Sequence, residues 1–245
     1  VPEQLKYAIG VGIGLFITII GLVDSGIVRA GVPLISFGVF GELQGWPIFT
    51  FCFGLLLTIV LVVKKVKGAI LIGILGTTVL AIIIEAVAGV GPKTGPDGSL
   101  ANPTGWGLNV PRLPDQVIST PDLGLLGQFN LFGSFSTIGI IAASTAVFTL
   151  ILTDFFDTMG TAYGLAEQAE LTDEKGDIPH LQSILVVDSV AAIAGGAGSA
   201  SSNTSYIESA SGIGEGARTG IASIVTGLLF LVAMFFSPLV TVIPY

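Results

Sequence analysis

Long apolar runs separated by short polar turns dominate this chain. A helix needs about 17 to 25 apolar residues to cross the hydrocarbon core of a bilayer. Six segments meet that requirement: Tyr7–Val28, Pro47–Val63, Gly68–Ala88, Ser136–Gly160, Leu181–Ala197 and Ala217–Ile243. The pattern predicts an all-α polytopic membrane protein whose main solvent is the lipid bilayer.

Between the last two apolar runs lies a segment of different character, residues 198–216, which reads GSASSNTSYIESASGIGEG. It is too polar for a lipid-facing helix and too rich in small apolar residues for a flexible loop. Irregular backbone at membrane depth is tolerated where protein buries it or where it lines a watery cavity. We therefore predict a short extended strand followed by a half-helix, with Glu208 at their junction.

The basic residues support a crossing at this segment. Three lysines, Lys64, Lys65 and Lys67, occupy one tight turn, which the positive-inside rule places in the cytoplasm. If residues 198–216 cross the membrane, the same side also holds Lys6, Lys175 and Arg218. The other side then holds Arg29, Lys93 and Arg112. Without that crossing the bias shrinks, so the count predicts seven membrane passages.

Two longer connections complete the predicted topology. The longest connection, Gly89–Phe135, is rich in Pro and Gly and reads GPKTGPDGSLANPTG and then VPRLPDQ. It is interpreted as an external loop with a short amphipathic piece near Leu123–Leu131. The connection 161–180 is predicted to be cytoplasmic. It should begin as a continuation of the preceding helix and turn at Gly176.

Composition excludes an ordinary soluble domain. Apolar residues make up 51% of the chain, charged residues 11%, and the mean hydropathy is +0.90, whereas soluble domains carry about 25% charged residues. The net charge of -8 is scattered over loops and spans, so it predicts neither a basic partner nor nucleic-acid binding. The chain opens on VPEQLKYAIG without an initiator Met and ends on VTVIPY, which suggests an internal fragment of a longer protein.

Few ionisable residues fall within the predicted spans, where each costs about 2.5 to 3.5 kcal/mol near a helix centre. Asp154 and Asp157 are three residues apart in TDFFDTMGT and so share one helix face. Asp188 lies in the next span, and Glu208 lies in the polar passage. For Asp154 and Asp188 a helix-end or structural hydrogen-bonding role is favoured. Asp157 is followed by small and hydroxylated residues that suit a cavity wall, which favours a functional role.

Motifs for catalysis, metals or cofactors are weak in this sequence. Gly10-Val-Gly12-Ile-Gly14 lacks the strand–turn–helix context of a dinucleotide fingerprint and is interpreted as close helix packing. His180 has no partners for catalysis or metal binding. Cys52, the single cysteine, is interpreted as a packing residue. We expect no cofactor, no metal and no enzymatic activity.

Four segments carry a resemblance to a known family: DFFDTMGT, NTSYIESASGIGEGARTG, VKGAILIGIL and TGLLFLVAMFFSPL. Over essentially its whole length the chain resembles the hypoxanthine/guanine/adenine (azaguanine-permease-like) branch of the nucleobase–cation symporters, related to xanthine/uracil permeases. The resemblance implies fourteen spans built as two inverted seven-span repeats, of which this chain would supply spans five to eleven, in a multi-pass protein of the cell membrane.

The resemblance also implies a domain division. Residues 1–245 would form part of one transporter domain. Within it, residues 1–90 would be mostly gate-type spans, 91–135 the external loop, 136–216 the core spans with the substrate site, and 217–245 the next span. The partner half-strand of span three would lie outside this chain.

The resemblance assigns roles residue by residue. Asp157 matches the family's acid in span eight, and Glu208 matches its substrate-binding acid in span ten. Thr161 stands where the uracil branch has a histidine, which puts a histidine-linked proton relay in doubt. The extended stretch leading into span ten is matched by Ser205, Tyr206 and Ile207.

A purine base presents N–H donors and ring-nitrogen acceptors along its edge. The Glu208 carboxylate could accept from those donors, while amides at a half-helix start donate to the ring. Asp157, paired with Asp154, is the candidate for proton coupling, although the roles of Asp157 and Glu208 could be exchanged or shared. Phe155 and Phe156 could stack on the base, with ordinary packing as the alternative.

The resemblance favours purine import with a proton rather than sodium, and a homodimer is among the assemblies considered. An anion or other solute transporter or channel on the same inverted-repeat fold is the main alternative. An anion carrier would need a basic residue at mid-span, and no Lys or Arg falls there. A membrane enzyme or a purely structural subunit would not need acids beside broken backbone.

Overall fold

The computed structural model of the chain describes residues 3–244 and is mostly helical. Its helices are α1 (Glu3–Asp24), α2 (Trp46–Val63), α3 (Ala69–Ala88), α4 (Gly133–Ile138), α5 (Ile140–Gln168), α6 (Leu181–Ala197), α7 (Ser209–Gly214), α8 (Gly220–Ala233), a 3-10 turn (Met234–Phe236) and α9 (Ser237–Val240). Strands β1 (Val28–Ala30) and β2 (Ile35–Phe37) form one antiparallel pair, in which Arg29 lies opposite Ser36.

Four helical stretches are long and apolar enough to cross a membrane: Trp46–Val63, Ala69–Ala88, Ile140–Gln168 and Gly220–Val240. Two shorter apolar helices, Gly10–Asp24 and Leu181–Ala197, accompany them. Each predicted apolar run therefore contains a helix, and the mostly helical structure is consistent with a fragment of a membrane protein. The count of seven passages and the inverted repeat stay predictions.

Several predicted boundaries are wrong. The helix of the fourth predicted span begins at Ile140 rather than Ser136, because Gly139 has a left-handed φ of 84° and separates α4 from α5. At its other end α5 continues past Gly160 to Gln168, which confirms the predicted continuation of this helix into the connection 161–180. The first span ends at Asp24, where Gly26 turns the chain with a φ of 79°.

The predicted amphipathic piece at Leu123–Leu131 is not a helix. These residues form successive turns, with the Leu126 amide donating to the Leu123 carbonyl, and Gly127 adopts a left-handed φ of 75°. The last predicted span is also interrupted, because α8 gives way to a 3-10 turn before Pro238 at the start of α9.

The chain divides into two compact units. One contains Asp122–Ala222 with the first turns of α1, and therefore α4 to α7. The other contains Leu15–Pro121 and the residues from Ser223 onward. Within this second unit, α2 and α3 pack through reciprocal contacts in which Gly54 faces Thr77 and Gly73 faces Thr58. An added Cβ at either glycine would collide with the facing threonine, so both glycines are needed for this close approach.

The loop after α3 folds back onto that helix. Trp106 is almost fully buried against Ala81 and Ile84, and its indole Nε1–H donates to Glu85 Oε2 at 3.0 Å. The Gly91 amide donates to the same oxygen at 3.1 Å, and Arg112 pairs with Glu85 Oε1 at 3.1 Å. The predicted external loop is thus an ordered structure with its own small core.

Candidate functional site

Residues 199–208, the first part of the polar segment 198–216, lie against α5 and α6 in the first unit. Residues 201–206 have irregular backbone and form no β-ladder in the described chain, so the predicted strand is absent, since no neighbouring strand is available to pair with it. The predicted half-helix is present as α7, and Glu208 immediately precedes it. The backbone at Glu208 is already helical, with φ -60° and ψ -20°.

Asp188 on α6 is the hydrogen-bonding centre of this region. Its Oδ2 accepts from Thr158 Oγ1 on α5 at 2.7 Å, and its Oδ1 accepts from the Ser205 amide at 3.0 Å. The Ser205 hydroxyl also donates to Oδ1 at 3.3 Å. One buried carboxylate thereby ties together α5, α6 and the irregular segment.

Hydroxyl groups complete this network. Thr158 Oγ1 and Thr204 Oγ1 lie 2.7 Å apart, and Thr204 also approaches both Asp188 oxygens at 3.4 Å. Thr158 and Asp188 are buried. Among the described residues no Lys or Arg pairs with Asp188, so neutral donors alone stabilise its carboxylate.

A glycine allows the segment to reach α6. A Cβ built on Gly195 would collide with the Ser201 carbonyl oxygen and would lie 3.1 Å from the Asn203 amide nitrogen. The next residue, Gly196, faces open space. The close approach at Gly195 places Thr204 and Ser205 within reach of Asp188.

The predicted acids of α5 lie on the side of the helix that faces the segment. Asp154 Oδ1 accepts a hydrogen bond from the Ser202 hydroxyl at 2.8 Å. Asp157 is half-buried and lies within electrostatic range of three other carboxylates, those of Asp154, Asp188 and Glu208. The Asp157 carboxylate therefore interacts electrostatically with those of Glu208 and Asp188 as well as with that of its neighbour Asp154.

Of the other predicted site residues, Thr161 and Ile207 are packed against α5 or within it, whereas Tyr206 is exposed. Thr161 is buried, and Ile207 packs near Gly164 on α5. Gln168 Nε2 donates to the Ala210 carbonyl at 3.2 Å, which fastens α7 to the end of α5. Tyr206 is more than half exposed.

The two phenylalanines beside Asp157 do not form a stacking pair for a base in this structure. Phe155 and Phe156 are both partly exposed, and their rings meet edge to face, with centroids 5.6 Å apart.

An open cleft of about 440 Å³ borders the irregular segment. Its walls come from one face of α6 and from the segment: Ser183, Ile184, Val187, Asp188, Ala191, Asn203, Thr204 and Ser205. Asp157 and Glu208 are not among the lining residues. Asp188, Thr204 and Ser205 thus belong both to the hydrogen-bond network and to the wall of the cleft.

Asp188 makes hydrogen bonds of the kind that its favoured structural role predicts, but the sequence did not identify Thr158 and Thr204 as its partners. The available signal was an isolated acid within an apolar helix, followed by a run of hydroxyl residues, which are the donors that a buried carboxylate needs. No described group of His, Cys, Asp and Glu has the arrangement of a metal site. The described residues at these acids supply carboxylates, hydroxyls and amides, a set suited to the N–H groups of a neutral polar ligand.

Comparison with known proteins gives a consistent result. The sequence model of the xanthine/uracil permease family, described as a permease family, matches residues 1–245. The guanine/hypoxanthine permeases PbuG and PbuO of Bacillus subtilis are 36% and 35% identical to the chain, over 99% and 98% of its length. The adenine permease AdeP of Escherichia coli is 32% identical over 100% of it.

The chain spans about half the length of these relatives: 49% of PbuG, 50% of PbuO and 48% of AdeP. Proteins of this kind are transporters rather than enzymes, and the apolar helices agree with an integral membrane protein. The match of the family model to residues 1–245, together with 36% identity to PbuG over 99% of the chain, shows that this chain belongs to the xanthine/uracil permease family.

Proposed function

We propose that the protein containing this chain imports purine nucleobases across the cell membrane by proton symport. The observation that carries the proposal is the placement of Asp157 and Glu208 beside a broken membrane segment that Asp188 holds in position. A purine substrate is supported by the similarity to PbuG and PbuO, which are guanine/hypoxanthine permeases, and to AdeP, which is an adenine permease. A fold of two seven-span repeats, with this chain as spans five to eleven, is part of the same proposal.

In this proposal Glu208 binds the substrate. An ionised carboxylate accepts hydrogen bonds only, and a purine edge carries N–H donors that it can match. Such charge-assisted hydrogen bonds are worth about 1.5 to 3 kcal/mol. Glu208 lies where irregular backbone becomes α7, so its side chain is carried by a segment that Asp188, Gly195 and Gln168 fix to the neighbouring helices.

Asp157 has the coupling role. Its half-buried carboxylate interacts electrostatically with three others, those of Asp154, Asp188 and Glu208. A proton taken up at Asp157 would reduce repulsion around Glu208 while the substrate is bound. Substrate and proton would then favour one another's binding, which symport requires.

Asp188 acts as a positioning residue in this scheme. It engages the backbone amide of Ser205 directly, and the chain then continues through Tyr206 and Ile207 to Glu208. Fixing Ser205 restricts where Glu208 can lie relative to Asp157. Thr158 is the residue after Asp157 on α5, and its hydroxyl donates to the Asp188 carboxylate. Asp188 therefore also restrains α5 next to Asp157.

Uptake by the complete gene product tests the proposal. Cells that lack their own purine permeases would express it and receive radiolabelled guanine, hypoxanthine or adenine, with purines and pyrimidines as competitors. We expect saturable uptake that purines compete for and that a protonophore abolishes. Uptake that follows a sodium gradient and survives the protonophore would contradict proton coupling, and uptake of an anion instead of a base would favour the alternative carrier.

The variant Asp157→Asn separates coupling from binding. It should abolish accumulation against a gradient and its dependence on external pH, because an amide cannot take up the proton. Equilibrium binding of the purine should persist. Glu167→Gln, which removes an exposed carboxylate from the last turn of α5, is the matched control and should accumulate substrate normally. Normal pH-dependent accumulation by Asp157→Asn would refute this role.

A further inference from the structure

Two cations come together in the second unit, at the ends of two apolar helices. Arg29 lies on β1, shortly after α1 ends at Asp24. Its Nε donates to the Gly26 carbonyl at 3.0 Å, and its Nη1 donates to the Pro103 carbonyl at 2.7 Å. These bonds fix the guanidinium against the ordered loop that follows α3.

Lys93 lies on that same loop, shortly after α3 ends at Ala88. Its amide donates to the Trp106 carbonyl at 2.7 Å, and its own carbonyl accepts from the amides of Ala101 and Asn102 at 3.0 and 3.1 Å. The backbone that carries the ammonium group is therefore held by three hydrogen bonds. Both cations have fixed supports before any ligand arrives.

The pair lacks a compensating negative charge. Within the described chain no carboxylate forms an ion pair with Arg29 or Lys93, and the nearby Glu85 is already occupied by Arg112. Both side chains are half-buried. Burial, and after it the charge of Arg29, lower the pKa of Lys93, and burial lowers the pKa of Arg29. The two positive charges repel each other, and an anion bound between them would offset that repulsion.

We propose that Arg29 and Lys93 form a binding site for a phosphate oxyanion, supplied by the headgroup of a phospholipid. Arginine offers a planar fork of donors to phosphate and lysine offers a mobile point charge, so the two together suit one tetrahedral anion. The guanidinium has five N–H donors, of which the carbonyls of Gly26 and Pro103 engage only part.

The location favours a lipid over a free anion. Arg29 and Lys93 follow the ends of α1 and α3, two apolar helices, and basic residues at that level meet the headgroup region of a bilayer. Exposed apolar side chains near the end of α3, among them Ile83 and Val87, offer a surface for acyl chains on the helix that leads into the loop of Lys93. A phospholipid would satisfy both features at once, whereas inorganic phosphate would satisfy only the first.

Native mass spectrometry of the purified complete gene product can measure this binding. Phosphatidylglycerol would be titrated into the delipidated protein and the dissociation constant determined for wild type and Lys93→Gln. We expect about a fivefold weaker constant for Lys93→Gln, which is the usual contribution of one basic residue near an anionic headgroup. Lys93→Arg should restore most of the affinity, because it keeps the charge.

Lys175→Gln is the matched control, since it removes one exposed lysine from the middle of the connection between α5 and α6, away from a helix end, and should change the constant by less than about twofold. Equal affinity of wild type and Lys93→Gln, or equal losses in both variants, would overturn the site. Displacement of the lipid by millimolar inorganic phosphate would retain the oxyanion site and overturn the lipid as its occupant. Because the measurement is independent of transport, its failure would leave the proposed function intact.

Discussion

Two buried carboxylates in this chain are held in opposite ways. Glu85 is paired with a positive charge, that of Arg112, and accepts two further hydrogen bonds from the Trp106 indole and the Gly91 amide. Asp188 accepts from hydroxyls and one amide, with no basic partner in the described residues. Glu85 is covered by a tryptophan, whereas Asp188 borders an open cleft.

The difference separates a structural acid from one that can take part in transport. A carboxylate that is paired with a cation and closed off keeps its charge, and its bonds hold a loop in place. A carboxylate satisfied by neutral hydroxyls can rearrange, because each hydroxyl can rotate and either donate or accept. Substitutions at Glu85 should therefore change stability, and substitutions around Asp188 should change transport.

The largest expected effect is on stability, in Glu85→Ala. The change leaves the Trp106 indole and the Gly91 amide without their acceptor in a buried position, and each such group costs about 1 to 3 kcal/mol. We expect the free energy of unfolding in detergent to fall by about 3 kcal/mol. Arg112→Gln is the control and should cost less than about 1 kcal/mol, because the arginine side chain is 71% exposed. Equal losses in the two variants would show that the ion pair, rather than the buried donors, dominates.

The second effect is on transport, in Asp188→Asn. The amide oxygen can face the Ser205 amide only if its NH2 group faces Thr158, so the Thr158 hydroxyl must turn from donor to acceptor and both bonds lose the charge of the carboxylate. Displacement of functional groups by about 1 Å can cost about a hundredfold in rate, and we expect a loss of that order in initial purine uptake. Ser189→Ala, the next residue on α6, removes an exposed hydroxyl bonded only to the Leu185 carbonyl and should transport normally. Full activity of Asp188→Asn at normal expression would remove the positioning role.

A smaller effect, of about tenfold, is expected for Gly195→Ala. Its new methyl group would push the Ser201 carbonyl and the Asn203 amide away from α6, which shifts the segment without altering any charge. Gly196→Ala adds the same methyl group where space is open and should gain helix stability of up to about 1 kcal/mol. The two variants are compared by measuring the Michaelis constant and the maximal rate of purine uptake for each. Identical kinetics would mean that the close approach at Gly195 is unimportant.

The contrast between Glu85 and Asp188 could not be predicted from the sequence. Both residues are isolated acids in apolar helices, and local sequence does not reveal which partners the fold brings to them. Arg112 reaches Glu85, and Ser205 reaches Asp188, through chain segments with no regular pattern. Hydrophobic length located the helices, but it could not show that Gly139 interrupts one of them, since a single left-handed glycine barely changes mean hydropathy.

The polar segment was the most predictable part of the site. Its small and hydroxylated residues exclude a lipid-facing helix, so the sequence indicated both the irregular backbone and the position of Glu208 at the start of α7. The expected extended strand was absent, because a strand needs a neighbour with which to pair. Periodicity gave no information on the close contact of Gly195 with Ser201, which depends on how α6 and the segment pack together.

Glu208 lies on the segment that Asp188 fixes to α6, and we propose that it binds the purine. Equilibrium binding of radiolabelled guanine, hypoxanthine and adenine to the purified complete protein tests it most directly, with Glu208→Gln compared with Glu174→Gln, which removes an exposed acid from the connection after α5. We expect the dissociation constant to rise at least about tenfold for Glu208→Gln and to stay unchanged for Glu174→Gln. An unchanged dissociation constant for Glu208→Gln would contradict it.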